Sequence, residues 1–374
     1  MTRTALRGLC LVVASLLLTG GSAYAEPITI AKQGSFFVGG TTIQAPGTFD
    51  PTHLFPFTDD GQTFRIDYLY TQFQIPPNAR PLPLVMVHGF GQTGKVWEST
   101  PDGRAGYQTI FLRRGFAVYI VDTPRRGRAG FPSFNGPLGN LTGTQVIPDT
   151  TSHIGDQLIF SLFRLGPEFP HFFSNTQFAK RELDQYLRQN IAAVTDDPEV
   201  ISNALAALFD KIGPAILLTS SSSGLFGWLT AMKSPHVKAV ISYEPAVYVF
   251  PEGEVPPPPP LADGSIFPTG IAVPPADFER LTEIPIQIVY GDNIPTKPTL
   301  NLALDLSRVV STAANDFTAA VNRHRGDASL LMLPDVGLVG NTHFPFSDLN
   351  NLEVADLLSQ FLHERGLDRE GPLP

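Results

Sequence analysis

Short apolar segments alternate with helical segments along most of this 374-residue chain. Buried strands separated by helices are typical of a parallel sheet that is covered on both faces. The sequence therefore predicts an α/β fold with a mostly parallel central sheet and helices on both faces. The predicted strands are 84–87, 117–121, 215–218, 237–242, 286–290 and 329–333, and the predicted helices are 107–114, 200–212, 224–232, 302–322 and 352–365.

Three regions depart from this alternation. The pattern of residues 28–43 predicts a β-hairpin extension with a turn at Gly39-Gly40. Residues 64–75 then predict a strand. Residues 131–195 hold clusters of Phe, Pro, Gly and Asn with short helical pieces, which indicates a helical, cap-like insertion over a site. Residues 248–275 form a proline-rich loop with five consecutive prolines.

The first 25 residues are typical of an export signal. Arg3 and Arg7 precede an apolar run, Leu9 to Leu18, that is too short to span a bilayer. Ala23-Tyr24-Ala25 has the small-x-small form of a signal-peptidase site. We therefore expect a secreted or periplasmic protein, with residues 26–374 as a single domain and no stable membrane span after cleavage.

The amino-acid composition limits which metals, cofactors and macromolecules the chain is expected to bind. The only cysteine, Cys10, would leave with the signal, so the mature chain would have no disulfide and no cysteine metal site. The net charge of −9 disfavours nucleic-acid binding. No His/Asp cluster has metal-ligand spacing, and the expected chemistry needs no cofactor. A monomer and a homodimer both stay open.

Four serines follow the strand at 215–218. The segment 216–224 reads Ile-Leu-Leu-Thr-Ser-Ser-Ser-Ser-Gly and runs into a helix, which is typical of the strand–turn–helix elbow that presents a nucleophilic serine. With Gly224 as the second glycine of the Gly-x-Ser-x-Gly pattern, the nucleophile is Ser222, and Ser220 stands at the first glycine. Ser221 and Ser223 are rival nucleophiles, and a serine-rich helix cap is the alternative.

A glycine-rich loop follows the strand at 84–87. Backbone N–H groups in such a loop, together with one from the elbow, stabilise the oxyanion formed when a serine attacks a carbonyl. The loop reads His-Gly-Phe-Gly-Gln-Thr-Gly over 88–94, so the predicted donors are the N–H groups of Phe90 and Ser223.

The base and the acid follow later strands. His343 lies in a Gly/Asn loop between the last strand and the closing helix, which completes the order Ser, acid, His. Glu244 follows the strand after the elbow, and Asp292 follows the next one. Either carboxylate could orient the imidazole, and the other would then be structural, for example as a loop ligand.

These motifs together resemble a family of exported bacterial α/β-hydrolase esterases. The resemblance rests on HGFGQTG, VWESTPDGRAGY, FLRRGFAVYIVDTPRRGR, LFRLGPEFP, SSSSG, SYEP, VYGDNI and GNTHFPFSDLNNLEVADLL, in one order from about residue 36 to 365. It implies the α/β-hydrolase fold and a triad whose Glu follows the sixth strand. That triad carries over to Ser222, His343 and Glu244, with Phe90 as the early oxyanion donor.

The chain departs from the family at two places. Ser220 stands where the family has a histidine in its elbow, and Phe90-Gly91 stands where it has two cysteines. Two further motifs, 97–104 and 163–167, carry no mechanism that the sequence alone explains.

The predicted function is that of a serine esterase acting on a small-molecule ester through an acyl-enzyme. The alternatives are a lipase-like, polyester or amide hydrolase on the same fold, and a catalytically inactive binding protein. Aromatic residues of the insertion suggest an apolar pocket: Phe131, Phe134, Phe163, Phe172 and Phe173.

Overall fold

The fold is built around one eight-stranded sheet. A computed structural model describes residues 27–53, 55, 58–130 and 152–371, so the predicted signal and residues 131–151 of the insertion lie outside it. The strands of this sheet are β1 Lys32–Gln44, β2 Thr63–Ile75, β3 Leu84–Val87, β4 Val118–Asp122, β5 Ala215–Ser220, β6 Val237–Tyr243, β9 Pro285–Tyr290 and β10 Asp327–Met332. Their order in the sheet is β1-β2-β4-β3-β5-β6-β9-β10.

Strand direction agrees with the predicted sheet. β2 runs antiparallel to both of its neighbours, β1 and β4. From β4 to β10 every neighbouring pair is parallel. The carboxyl ends of β3, β5, β6 and β9 therefore meet at one edge, where ligand sites of α/β sheets lie.

Helices cover both faces of the sheet, as predicted. Two apolar cores lie on opposite faces of the sheet. Along β3, Leu84 and Met86 belong to the first core, and Val85 and Val87 belong to the second. Helices α4 to α7 pack into the second core, and α1, α2 and α8 pack into the first. The helices are α1 Tyr107–Arg113, α2 Asp156–Leu162, α3 Leu183–Leu187, α4 Pro198–Ile212, α5 Ser223–Lys233, α6 Pro275–Thr282, α7 Leu302–Arg323 and α8 Asn351–Glu364.

The predicted turn at Gly39-Gly40 is wrong, although the N-terminal strands are present. β1 continues through both glycines and pairs with β2 along its length. Gly39 and Gly40 have φ of 72° and 86°, and Asp67 on β2 has φ of 60°. A Cβ on Gly39 would lie 2.8 Å from the Cα of Ala204 on α4. The two glycines therefore let the strand bend where a helix packs against it, and the hairpin is the pair β1–β2.

The described part of the insertion holds short helices, and the proline-rich loop contains more structure than its composition indicates. The described part of the insertion, from residue 152, holds α2, a 3₁₀ turn over Lys180–Glu182 and α3. The loop at 248–275 begins and ends in two short strands, β7 Tyr248–Pro251 and β8 Gly270–Val273, which form a parallel pair. Neither strand was predicted, because the proline-rich composition of 248–275 indicated a loop.

A membrane-crossing helix would need a long, apolar segment, and no helix in the described ranges meets that requirement.

Candidate active site

Ser221 lies at the turn between β5 and α5. β5 ends at Ser220 and α5 begins at Ser223, so the chain reverses over two residues. Ser221 has φ of 58°, a left-handed conformation that costs a non-glycine residue about 1–3 kcal/mol. Such a strained strand-to-helix turn is the geometry that lifts a nucleophilic hydroxyl clear of the sheet.

The other serines of the run make different contacts. Ser222 occupies the N-cap position of α5 with ordinary helical angles, φ −56° and ψ −29°, but its side chain makes no capping hydrogen bond. Its hydroxyl lies 3.5 Å from Asp196 Oδ2. The buried Ser223 hydroxyl donates to the Val87 carbonyl at 3.1 Å or to the Ser220 carbonyl at 2.8 Å. Ser221 Oγ has no hydrogen-bond partner among the described residues.

The glycine-rich loop packs directly on Ser221. A Cβ on Gly89 would lie 2.8 Å from Ser221 Cβ and 3.5 Å from its Oγ, so only glycine fits there. Neither the N–H of Phe90, the next residue, nor that of Ser222 donates a hydrogen bond within the described part of the chain. The geometry thus brings a free hydroxyl and two free N–H groups into one region.

The Arg126 guanidinium lies over the face of the Phe90 ring. Its guanidinium carbon lies 5.0 Å from the centre of the Phe90 ring, and it forms an ion pair with Asp196. A cation over a ring face is attracted by the ring's negative face. Arg126 therefore links the glycine-rich loop to Asp196, which contacts Ser222.

His88, which precedes Gly89, is buried and structural. Its Nε2 accepts a hydrogen bond from the Thr123 N–H at 3.2 Å, and its Nδ1 lies 2.8 Å from the Gly89 carbonyl. Burial lowers the pKa of His88, which keeps the ring neutral. His88 thus fixes the loop after β3 to the loop after β4.

His343 and Glu244 form a hydrogen-bonded pair. His343 Nδ1 lies 2.7 Å from Glu244 Oε2, and His343 Nε2 has no partner among the described residues. The Phe163 ring stacks on the imidazole, with centroids 4.9 Å apart and planes 7° from parallel. The backbone carbonyl of Phe163 accepts a hydrogen bond from the backbone N–H of His343. The imidazole is held in one plane with one nitrogen free to exchange a proton.

Glu244 directly follows β6 and is buried, with a side-chain exposure of 1%. Its Oε1 accepts hydrogen bonds from the Gly291 N–H at 2.7 Å and from Arg164 Nη2. Burial alone would raise the pKa of Glu244, but the charge of Arg164 and the hydrogen bond from His343 outweigh it and lower the pKa to about 2. The carboxylate is therefore ionised beside the imidazole.

Asp292 lies after β9 and contacts the loop that carries His343. Its Oδ2 accepts from the Gly340 N–H at 2.7 Å and from Asn175 Nδ2 at 3.0 Å, and its Oδ1 accepts from the Asn293 N–H. No hydrogen bond joins Asp292 to His343 among the described residues. Asp292 thus contacts the loop that carries His343, whereas Glu244 contacts His343 itself.

The motif at 97–104 holds the segment after His343. The Trp97 ring stacks on Phe346 with centroids 4.1 Å apart. Arg104 donates to the carbonyls of Ser347, Asp348 and Leu349. The sequence could not reveal this role, because the two segments are more than 240 residues apart.

The motif at 163–167 contacts the His343–Glu244 pair itself. Phe163 stacks on His343, and Arg164 donates to Glu244. Phe172 is half-buried and packs against Phe160 and Phe178, which is an ordinary packing role. Phe131 and Phe134 lie outside the described residues. Sequence analysis missed Arg164, whose only signal is an arginine within an otherwise apolar segment.

A metal-binding cluster would need three or more His, Cys, Asp or Glu side chains in one place, and the described ranges hold none.

Two of the known proteins that this chain resembles are described here. No protein-family model matches the sequence. The solved structure of a novel bacterial esterase is 30% identical; the match covers 91% of this chain and 98% of that one, with a TM-score of 0.70. A fungal protein named probable secreted lipase phiG (Fungal sp., strain ATCC 74256) is 27% identical over 326 residues, or 79% of this chain and 86% of the fungal one.

Proposed function

The chain belongs to the α/β-hydrolase family of the bacterial esterase described above, and we propose that it is a serine esterase that hydrolyses carboxylic esters through an acyl-enzyme. The observation that carries the proposal is the free hydroxyl of Ser221, at a left-handed turn, against Gly89. The His343–Glu244 pair supplies the second half of the machinery.

Ser221 replaces Ser222 as the nucleophile in this proposal. Ser222 has helical backbone angles and directs its hydroxyl to Asp196, whereas Ser221 has the strained elbow conformation. The small residue two positions after the nucleophile is then Ser223, which is fully buried, and Gly224 follows it against Pro245. The elbow donor to the oxyanion moves accordingly from the N–H of Ser223 to that of Ser222, while Phe90 stays the other donor.

Each group has one task in the proposed reaction. His343 Nε2 takes the proton of Ser221 Oγ as the oxygen attacks the ester carbonyl, and the N–H groups of Phe90 and Ser222 stabilise the oxyanion. The protonated His343 gives its proton to the departing alcohol, which leaves an acyl group on Ser221. A water deprotonated by His343 then releases the acid. Glu244 holds the tautomer of His343 and stabilises its charged form.

The first test is labelling with a fluorophosphonate, which reacts with an activated serine. All four serines lie in one tryptic peptide, 212–233, so fragment spectra must separate residues 221 and 222. We expect the label on Ser221 in the wild type. Ser221→Ala should lose it, and Ser222→Ala should still carry it at residue 221, because the N–H of residue 222 remains.

The outcomes separate the hypotheses. A label on residue 222 that persists in Ser221→Ala would return the nucleophile to the position predicted from the sequence. A folded wild type that takes no label and hydrolyses no ester would favour the inactive binding protein.

Export is part of the proposal, and it is supported by the signal-like first 25 residues and by the fungal relative that is named a secreted lipase. That relative also favours a second candidate function, a lipase acting on long acyl chains. Rates on p-nitrophenyl esters from two to sixteen carbons, beside matched anilides, distinguish the candidates. Turnover confined to the long esters would replace the small-ester substrate, and turnover of anilides would indicate an amidase.

A further inference from the structure

Arg164 is a buried cation that touches the acid of the proposed site. Its side chain is 1% exposed. Its Nη2 donates to Glu244 Oε1, and its Nε donates to the carbonyl of Asp292 at 2.8 Å. The guanidinium therefore fixes Glu244, after β6, to the backbone that follows β9.

The backbone at Arg164 is shaped for this contact. Arg164 has φ of 55°, at the end of α2, and the residue before it is Phe163. Phe163 binds His343 through both its ring and its carbonyl. The left-handed turn thus lets two consecutive residues hold the two members of one hydrogen-bonded pair.

The electrostatics require such a partner. An ionised carboxylate buried without compensation is strongly unfavourable, and it takes up a proton instead. Gly291 and His343 provide hydrogen bonds to Glu244, but neither carries a permanent charge. The buried side chains of Tyr248, Tyr290 and Asp348 also interact with the charge of Glu244, and none of them can supply a positive charge. Within the described ranges, Arg164 is the Lys or Arg side chain that forms an ion pair with Glu244.

We infer that Arg164 is a positioning residue for this hydrolase: it keeps Glu244 ionised and aims Oε2 at His343, and so extends activity toward lower pH. The inference rests on the proposed function, since it concerns the same His343–Glu244 pair. A protonated Glu244 would be a poor partner for the charged imidazole that forms during proton transfer. Arg164 itself touches no reacting atom.

The test compares Arg164→Met, Arg164→Gln and Arg164→Lys with Arg308→Met. Arg308 pairs with the buried Asp305 on α7, so it controls for the loss of an arginine from a buried carboxylate elsewhere. In Arg164→Met and Arg164→Gln we expect kcat/KM at pH 7 to fall by about 100-fold. The acidic limb of the pH profile of kcat/KM should move up by about one pH unit or more. Lys keeps the charge but not the two-point contact, so it should restore the limb more fully than kcat.

A second measurement does not depend on turnover. The ¹³C carboxyl signal of Glu244, assigned by its absence in Glu244→Gln, reports ionisation directly. The wild-type signal should stay ionised at pH 4, whereas Arg164→Met and Arg164→Gln should titrate at higher pH. If the wild type hydrolyses no ester, the proposed function fails, and this titration still tests Arg164.

One result would overturn the inference. If Arg164→Met and Arg164→Gln are folded, keep the wild-type acidic limb and Glu244 titration, and lose no more activity than Arg308→Met, then Arg164 only stabilises the fold. Should the Met variant not fold, the Gln and Lys variants decide the question by the same two readouts.

Discussion

Three residues of the candidate site hold left-handed backbone conformations that are rare outside glycine. Ser221, Glu244 and Arg164 have φ of 58°, 51° and 55°. Each costs about 1–3 kcal/mol, which neighbouring contacts must offset. Two backbone hydrogen bonds supply part of this compensating stabilisation: the Ser221 N–H donates to the Tyr243 carbonyl, and the Glu244 N–H donates to the Val289 carbonyl. The strain lies where the side chains must leave the direction of the preceding strand or helix.

The two candidate acids predict different consequences when each is neutralised. Glu244→Gln should lower kcat/KM by about 10³- to 10⁴-fold, because an amide does not stabilise the charged imidazole. Asp292→Asn should lower it by less than about tenfold, because Asp292 binds the Gly340 N–H rather than His343. Steady-state kinetics on one ester, with thermal melts as the control for folding, compare them. A larger loss in Asp292→Asn would move the acid one strand later.

At the level of elements, three separate segments hold the loop that carries His343. Phe163, at the end of α2, contacts His343 itself; Asp292, after β9, binds Gly340; and Arg104 binds the residues that follow. A Cβ on Gly291 would lie 2.6 Å from the carbonyls of Asn341 and Thr342, so the loop also packs on bare backbone. A long loop without such contacts would not keep an imidazole in place.

The buried acid at the end of this loop predicts a pH dependence of stability. Burial raises the pKa of Asp348 to about 7, although hydrogen bonds from Thr342 and Asn341 oppose the rise. The folded state then binds a proton that the unfolded chain has lost. The free energy of unfolding of the wild type, taken relative to that of Asp348→Asn, should therefore fall by roughly 2 to 4 kcal/mol as pH rises from about 4 to 7. Thermal melts of the wild type and Asp348→Asn across this range measure it.

The matched control is Asp335→Asn, which changes an exposed aspartate in a nearby turn. Relative to Asp348→Asn, the Asp335→Asn variant should show the same fall in the free energy of unfolding as the wild type. Parallel curves for all three proteins would mean that Asp348 stays ionised in the folded state.

At the scale of the whole molecule, residues distant in the chain meet at one edge of the sheet. Gly89, Ser221, Glu244 and His343 come from loops after β3, β5, β6 and β10. The match to the bacterial esterase covers 91% of the chain, so the likeness extends well beyond this edge. The site is a product of the complete sheet rather than of any one segment.

The whole-chain prediction concerns export. Expressed with all 374 residues in a bacterial host, the protein should be recovered outside the cytoplasm with Glu26 as its first residue, because Ala23-Tyr24-Ala25 is small at the cleavage-site positions. Intact mass and N-terminal sequencing measure this, and Ala25→Trp should block cleavage. The mature protein should also contain no thiol. A cytoplasmic product that retains Cys10 would contradict the prediction.

The sequence by itself determined the fold class and most elements. Apolar strands and amphipathic helices depend on local patterning, and for that reason the strand at 84–87 and the helix near 200–212 were predicted almost to the residue. The same patterning indicated the carboxyl-end loops that hold Gly89, Glu244 and His343. The proposed nucleophile was within the predicted run of serines, but at a different position of it.

Tertiary structure decided what depends on contacts between distant segments. Four consecutive serines carry no pattern that distinguishes them, and only the backbone turn and the approach of Gly89 favour Ser221 over Ser222. The contact between Glu244 and His343, which the family resemblance led us to expect, depends on which groups meet across the fold. The place of Arg164 beside Glu244 and the bend in β1 depend on the same kind of contact. Those distances arise only when the sheet closes, so no local pattern encodes them.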